Sequence, residues 1–192
     1  MAYLMNRIKS ELAKEGFQPR SIKARSWLQN KMKTLKPTAI TVMQDRERLK
    51  NRTFIGRMYF YYYDPKTKDR LSYYDKFPLV IPIEQYPDGF LGLNLHYIHP
   101  KQRILLLDKL SEFASNRNFD ERTRLKLSYD LLKATSMAYQ ATPCIKRYLF
   151  SQVQSRFVEI TADEWDIAAL LPVEQFVGAP RTKVWDDSKE LF

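Results

Sequence analysis

Few residues in this chain are of types that carry out chemistry, and their spacing argues against catalysis. The only two histidines, His96 and His99, straddle a strand end and in principle could share a metal ion. No acid or cysteine flanks them closely, and two imidazoles do not complete a tetrahedral site. No metal site is expected. His96 is read as a surface or part-buried strand residue, and His99 with Pro100 as a helix start. Cys144 is the one cysteine. It cannot form an internal disulfide and has no histidine close in sequence, so it reads as a small buried hydrophobe in a reducing compartment. Carboxylates gather at Asp163, Glu164 and Asp166, and again at Asp186 and Asp187. The first group follows Thr161 in the opening turn of a helix, where negative charge complements the helix dipole. That role outweighs general acid–base work. The motifs G-x-S-x-G, H-E-x-x-H and G-x-x-x-x-G-K-S/T are absent, and five glycines are too few for a phosphate-cradling loop. The chain is read as a non-enzyme without a cofactor, with a nuclease of dispersed carboxylates as the weakest rival.

The informative chemistry is in the charge. Through Arg57 there are 14 Lys and Arg against 4 Asp and Glu, so the whole net charge of +10 lies in this segment. The remainder is balanced at 18 against 18. Folding does not require such asymmetry, whereas a partner of dense negative charge would use it. From Gly16 to Gln44 there is no acid at all, and Arg20, Lys23, Arg25, Lys31, Lys33 and Lys36 are the candidate nucleic-acid or partner-binding residues. Three readings stay open for them: a solvated face, a surface for the phosphate backbone of double-stranded DNA, or a dock for an acidic protein. No helix-turn-helix or zinc-finger pattern is present, so sequence-specific readout is not expected.

A second feature is aromatic. Tyr59-Phe60-Tyr61-Tyr62-Tyr63 is followed by Tyr73-Tyr74. Alternate residues of a strand face opposite sides, so one set enters a core and the other exposes phenol rings. Exposed rings beside Lys66, Lys68 and Arg70 could stack on single-stranded bases. The favoured reading is core plus protein interface, with Tyr59, Tyr61, Tyr63, Tyr73 and Tyr74 as interface candidates.

The elements that must position these residues follow from periodicity. Residues 1–52 read as a basic helical arm. Leu4, Ile8 and Leu12 mark a helix ended by Gly16. Ser21 caps a second helix to Lys36 with the stripe Ala24, Trp27, Leu28, Met32 and Leu35, and Pro37 stops it. A third helix is expected from Thr38 to about Lys50. Residues 53–192 read as the core domain. In it, Thr53–Tyr63 is a strand and Leu71–Tyr74 its hairpin partner. Phe77–Ile83 is a strand that Pro78 and Pro82 confine to an edge or its ends, and Phe90–Tyr97 follows a Tyr86–Gly89 turn. Beyond residue 99 helices return. One starts at Pro100 with Ile104, Leu105, Leu107, Leu110 and Phe113, and one is capped by Asp120 with Leu125, Leu127, Leu131, Leu132 and Ala134. One has Pro143 in its first turn before Cys144, Ile145, Tyr148 and Leu149, and one runs from the Thr161–Glu164 capping box to Pro172. The tail from Gly178 is expected to dock on a neighbour through Val184 and Trp185. No membrane span or signal peptide is read. The fold class is therefore α+β: a small antiparallel Tyr-rich sheet or barrel between N-terminal and C-terminal helices.

Gly56–Phe60, Tyr63–Lys68, Tyr73–Val80, Gly89–Tyr97, Cys144–Leu149 and Glu164-Trp165 resemble a family of proteins from tailed bacteriophages of the contractile-tail, T-even-like type. The similarity covers about Phe54 to Ser188. It implies a virion protein of the DNA end protector or head–tail structural group, and it carries over no site residue. The expected function is that of a non-enzymatic structural protein of a tailed-phage virion, in the head–tail (neck) or tail and baseplate machinery. Its basic arm would meet the ends of packaged double-stranded DNA or a neighbouring subunit. It would be made in the host cytoplasm and assembled in several copies with other phage structural proteins, away from membranes. The alternative is a soluble, non-sequence-specific nucleic-acid-binding protein.

Overall fold

The computed structural model describes residues 3–114 and 144–188. The expected helix from Asp120, the Pro143 turn and the Phe113 side chain lie outside the described residues. The apolar repeat of the first segment forms α1 (Leu4–Lys14), and Gly16 follows it at φ +67°. Ser21 caps α2 (Ile22–Leu35), its hydroxyl accepting from the Ala24 N–H at 3.2 Å. That satisfies one of the amides a helix start leaves open. The third helix is shorter than expected. α3 (Ala39–Met43) is followed by a 3₁₀ turn at Arg46–Arg48 and by strand β1 (Leu49–Lys50). The reason is tertiary: Asp45 and Glu164 hold the Arg48 side chain, and Leu49 and Lys50 pair with Val158 and Phe157.

The other strands are β2 (Met58–Phe60), β3 (Tyr74–Asp75), β4 (Leu79–Tyr86), β5 (Gly89–Asn94), β6 (Ile145–Leu149), β7 (Phe157–Ile160) and β8 (Phe176–Val177). Six of them form one antiparallel sheet in the order β1-β7-β2-β4-β5-β6, and β3 with β8 forms a small second sheet. With α4 (Pro100–Ala114), α5 (Trp165–Leu170) and α6 (Arg181–Ser188) the architecture is α+β.

Several pairings differ from local expectation. Tyr74 pairs with β8, and β2 instead lies between β4 and β7. Residues Ile145 to Leu149 belong to a strand next to β5 rather than a helix, with Cys144 in the turn before it. Their apolar run is too short to separate the two by period, and an unpaired flank of β5 decides it. β4 is internal, despite Pro82. The Pro82 carbonyl accepts from the Gly56 N–H at 3.0 Å on the β2 side, where β2 has already ended. The missing proline N–H points the same way, so no ladder bond is lost.

The sheet has two different faces. Met58 and Phe60 face a core shared with α1 to α6, including Met5, Ile8, Leu28, Met32, Val42, Leu107, Ile167 and Val184. Tyr59, Tyr61, Tyr63, Val80, Phe90, Tyr148 and Phe157 form a second cluster on the opposite face. Residues 152–154 bond back to residues 62–64 and help enclose it. Gly92 is required here, because a Cβ would meet Val80 Cγ1 at 2.3 Å.

His96 is a correction. It is 0% exposed, past the end of β5 in a 3₁₀ turn. Its Nδ1 lies 2.8 Å from Asp75 Oδ2, which also accepts from Asn94 Nδ2 at 3.1 Å. Burial of an imidazole is tolerable when a carboxylate meets it. Beside it, the fully buried Arg103 forms an ion pair with Glu174 and donates to the carbonyls of Ile98, Ala169 and His96.

Candidate nucleic-acid interface

The basic residues of the N-terminal segment divide into two sets. One set is engaged by carboxylates, most of them at the start of α5, with Lys9 doing so at the surface and Arg25 and Arg48 part-buried. Lys9 pairs with Asp163, Arg25 with Asp166 and Asp108, and Arg48 with Glu164 and Asp45. Arg25 Nε reaches Asp166 Oδ2 at 3.0 Å, and its Nη1 reaches Asp108 Oδ2 at 3.0 Å. Burial alone would push the Arg25 guanidinium down, and the two carboxylates outweigh it and hold its pKa above the usual value. Thr161 and Glu164 also close the expected capping box. The acid trio thus does more than complement a helix dipole: it fastens the basic helices to the core.

The other set faces water. α2 buries Ala24, Leu28 and Met32, with Trp27 and Leu35 partly covered. Its far side carries Lys23, Ser26, Gln29 and Lys33, all exposed, and no acid, whereas Asn30 and Thr34 border a cavity shared with Glu11 of α1 and Glu15 just after it. Lys23 and Lys33 are about 15 Å apart along the axis at about 1.5 Å per residue. Duplex DNA presents on the order of nine phosphates over such a span. Long cations interleaved with neutral hydrogen-bonding side chains suit a phosphate backbone, where position matters and base identity does not. A purely solvated helix face is ordinarily mixed in sign.

Arg20 and Lys36 stand at the two ends of α2, both exposed, and Arg20 borders the cleft between α1, α2 and the start of α5 that Asp163 and Asp166 also line. Both also adopt left-handed backbone, at φ 62° and 44°. Lys36 is the helix C-cap, its N–H donating to the Met32 carbonyl at 3.0 Å. Glycine is the residue such positions ordinarily take, because a Cβ is strained there. The chain keeps a cation at each.

Of the six cations expected to bind, Lys23 and Lys33 therefore lie on the outer face of α2 and Arg20 and Lys36 at its ends, none with an ion pair to a described residue. Arg25 is committed to Asp108 and Asp166. Lys31 is paired with Glu11 and lies 5.6 Å from the Trp27 ring centre. The aromatic candidates are placed differently from expectation. Tyr59, Tyr61 and Tyr63 are buried within the chain, in edge-to-face contact with Phe157 and Tyr148. Both faces of the sheet carry a buried cluster, so strand alternation exposes none of the three. Tyr73 and Tyr74 keep partial exposure. Trp185 docks on its own chain, its Nε1–H donating to the His96 carbonyl at 2.9 Å.

A family model described as phage T4 terminal DNA protecting protein matches residues 2–188. The chain belongs to that family. No curated protein and no solved structure matches it. The match to the terminal DNA protecting protein family starts far ahead of Phe54, and α1 and α2 lie within the matched region.

Sequence reasoning passed over a second cationic site in this family member. A cleft of about 690 Å³ is walled by Arg70 to Tyr73, Lys146 of β6, Gly178 to Pro180, and Lys183 and Asp187 of α6. Gly178, at φ +93°, allows the walls to meet: a Cβ would lie 2.5 Å from the Ser72 carbonyl oxygen. The cleft draws on three distant segments, which no local pattern connects. Among the described residues, no group of three or more His, Cys, Asp or Glu is placed to hold a metal ion. Among them also, no helix is long and apolar enough to cross a membrane.

Proposed function

We propose that this protein covers the ends of phage DNA and shields them without chemical conversion, as a component of the phage particle. The observation that carries this reading is the outer face of α2, which bears Lys23 and Lys33 and no acid, with Arg20 and Lys36 exposed at the helix ends, while Lys9, Arg25 and Arg48 are paired with acids. Family membership gives that charge a partner. Contacts of this kind neutralise phosphates irrespective of sequence, as a protector of any terminus requires. The protein is made in the host cytoplasm and assembles in several copies beside other phage structural proteins. The head–tail neck is the place where a DNA end and such subunits meet, ahead of the tail and baseplate. The N-terminal helices (1–52) supply the DNA-facing surface, and the remainder (53–192) supplies the scaffold.

An exonuclease challenge tests this. Linear duplex DNA mixed with the protein should stay full-length in the presence of a double-strand exonuclease. A nicked circle exposed to an endonuclease should be cut at its normal rate. Substitution of Lys23 and Lys33 by Gln should remove the protection. Equal digestion of linear DNA with and without the protein, or cleavage of DNA by the protein itself in Mg²⁺ or Mn²⁺, refutes the proposal.

A further inference from the structure

The cleft between β6 and α6 has the composition of an anion site. Lys146 is part-buried, and its Nζ lies 5.0 Å from the Tyr97 ring centre. It has no carboxylate partner among the described residues, and burial lowers its pKa from the usual lysine value. A desolvated ammonium without a counter-ion is unfavourable unless something negative joins it. Arg70, which also lines the cleft, is exposed and likewise has no ion pair to a described residue. Lys183 is paired with Asp187, which also accepts from the Tyr73 hydroxyl at 3.0 Å. With that carboxylate satisfied, the cleft retains two net positive charges. A phosphate monoester carries about −1.5 to −2 at neutral pH, which balances them. A phosphodiester of the DNA backbone carries only a single charge. The volume is that of a small-ligand site rather than a groove for duplex. Tyr73, part-exposed on the cleft wall and tilted against Tyr97 at 5.9 Å, offers a ring on which a terminal base can stack.

We propose that this cleft binds the 5′-terminal phosphate monoester of DNA, with Lys146 and Arg70 holding the phosphate and Tyr73 stacking on the terminal base. It thus adds recognition of the end itself to the sequence-independent grip of α2. The choice of ligand rests on the DNA-end reading, and the test separates the two. The probes are short duplexes identical except for a 5′-phosphate or a 5′-hydroxyl, and a nucleoside 5′-monophosphate and inorganic phosphate alone. The 5′-phosphorylated duplex should bind about tenfold more tightly, since a good charge-assisted contact is worth on the order of 1.4 kcal/mol or more. Lys146→Met keeps the apolar stem, and Arg70→Gln alters an exposed residue, so one at least should fold normally. Each should erase the preference while the duplexes still bind through α2. If no duplex binds at all, the α2 reading fails. The cleft is then judged by the nucleotide, which should raise the melting temperature of the natural protein and not that of Lys146→Met. Stabilisation by inorganic phosphate to the same extent as by the nucleotide would overturn the terminal-nucleotide assignment. So would a 5′-phosphate preference of nil, or one that survives both substitutions.

Discussion

Replacing Arg20 and Lys36 by glycine should make the protein more stable and a poorer DNA binder at the same time. Both residues hold left-handed backbone at φ 62° and 44°. For a residue with a Cβ that conformation costs about 1–2 kcal/mol. Glycine removes the strain but gives the unfolded chain more freedom, worth about 0.4–1 kcal/mol in the opposite direction. The difference lies between about 0 and 1.6 kcal/mol per site, with a midpoint of about 0.8 kcal/mol, or about 1.6 kcal/mol for the pair. In a chain of this size that midpoint raises the melting temperature by roughly 3–6 °C. The same pair removes two cations beside the outer face of α2. Each lost phosphate contact flattens the log–log dependence of affinity on salt by about 0.9, so the slope should fall by about 1.8. Thermal denaturation followed by circular dichroism gives the first quantity. Fluorescence anisotropy of a labelled duplex over a salt series gives the second. A double variant that is stabilised but binds with an unchanged slope removes Arg20 and Lys36 from the interface. A destabilised one refutes the backbone argument, because the two side chains would then be making folding contacts that the geometry does not contain.

Two further outcomes separate the outward from the inward chemistry. Lys23→Gln with Lys33→Gln should flatten the salt slope by about 1.8 while leaving stability within about 0.5 kcal/mol. Arg25→Gln should do the reverse, costing about 2 kcal/mol by stranding Asp108 and Asp166 and scarcely moving the slope; urea titration and anisotropy of the same preparations decide between them. In the aromatic cluster, the Tyr61 hydroxyl is buried without a hydrogen-bond partner among the described residues. Tyr61→Phe should therefore be neutral or stabilising by up to about 1–2 kcal/mol, whereas Tyr61→Ala should lose about 3–5 kcal/mol. Loss of stability in the phenylalanine variant, read by the same titration, would show that the hydroxyl is paired.

Local sequence determined the elements that depend only on near neighbours. The repeat of Leu4, Ile8 and Leu12, the Ser21 cap, Pro37, the Tyr86–Gly89 turn and the Thr161–Glu164 box each act within a few residues, and each is found as read. The concentration of positive charge before Met58 was equally legible, because composition needs no coordinates. Tertiary structure alone decided which charges are available. Lys9, Arg25 and Arg48 look like their neighbours in sequence, yet they meet acids more than 80 residues away, at Asp108 and Asp163 to Asp166. It also decided strand identity at Leu49–Lys50 and Ile145–Leu149, since pairing depends on an open sheet edge and a short apolar run reads either way. The same holds for the tyrosines. Alternation predicts that one set of rings is exposed, and a sheet with a buried cluster on each face removes the outside on which that prediction rests. The cleft of Arg70, Lys146 and Lys183 is the extreme case: its walls are assembled by long-range pairing and by the close approach at Gly178, and neither leaves a trace in any stretch of neighbouring residues.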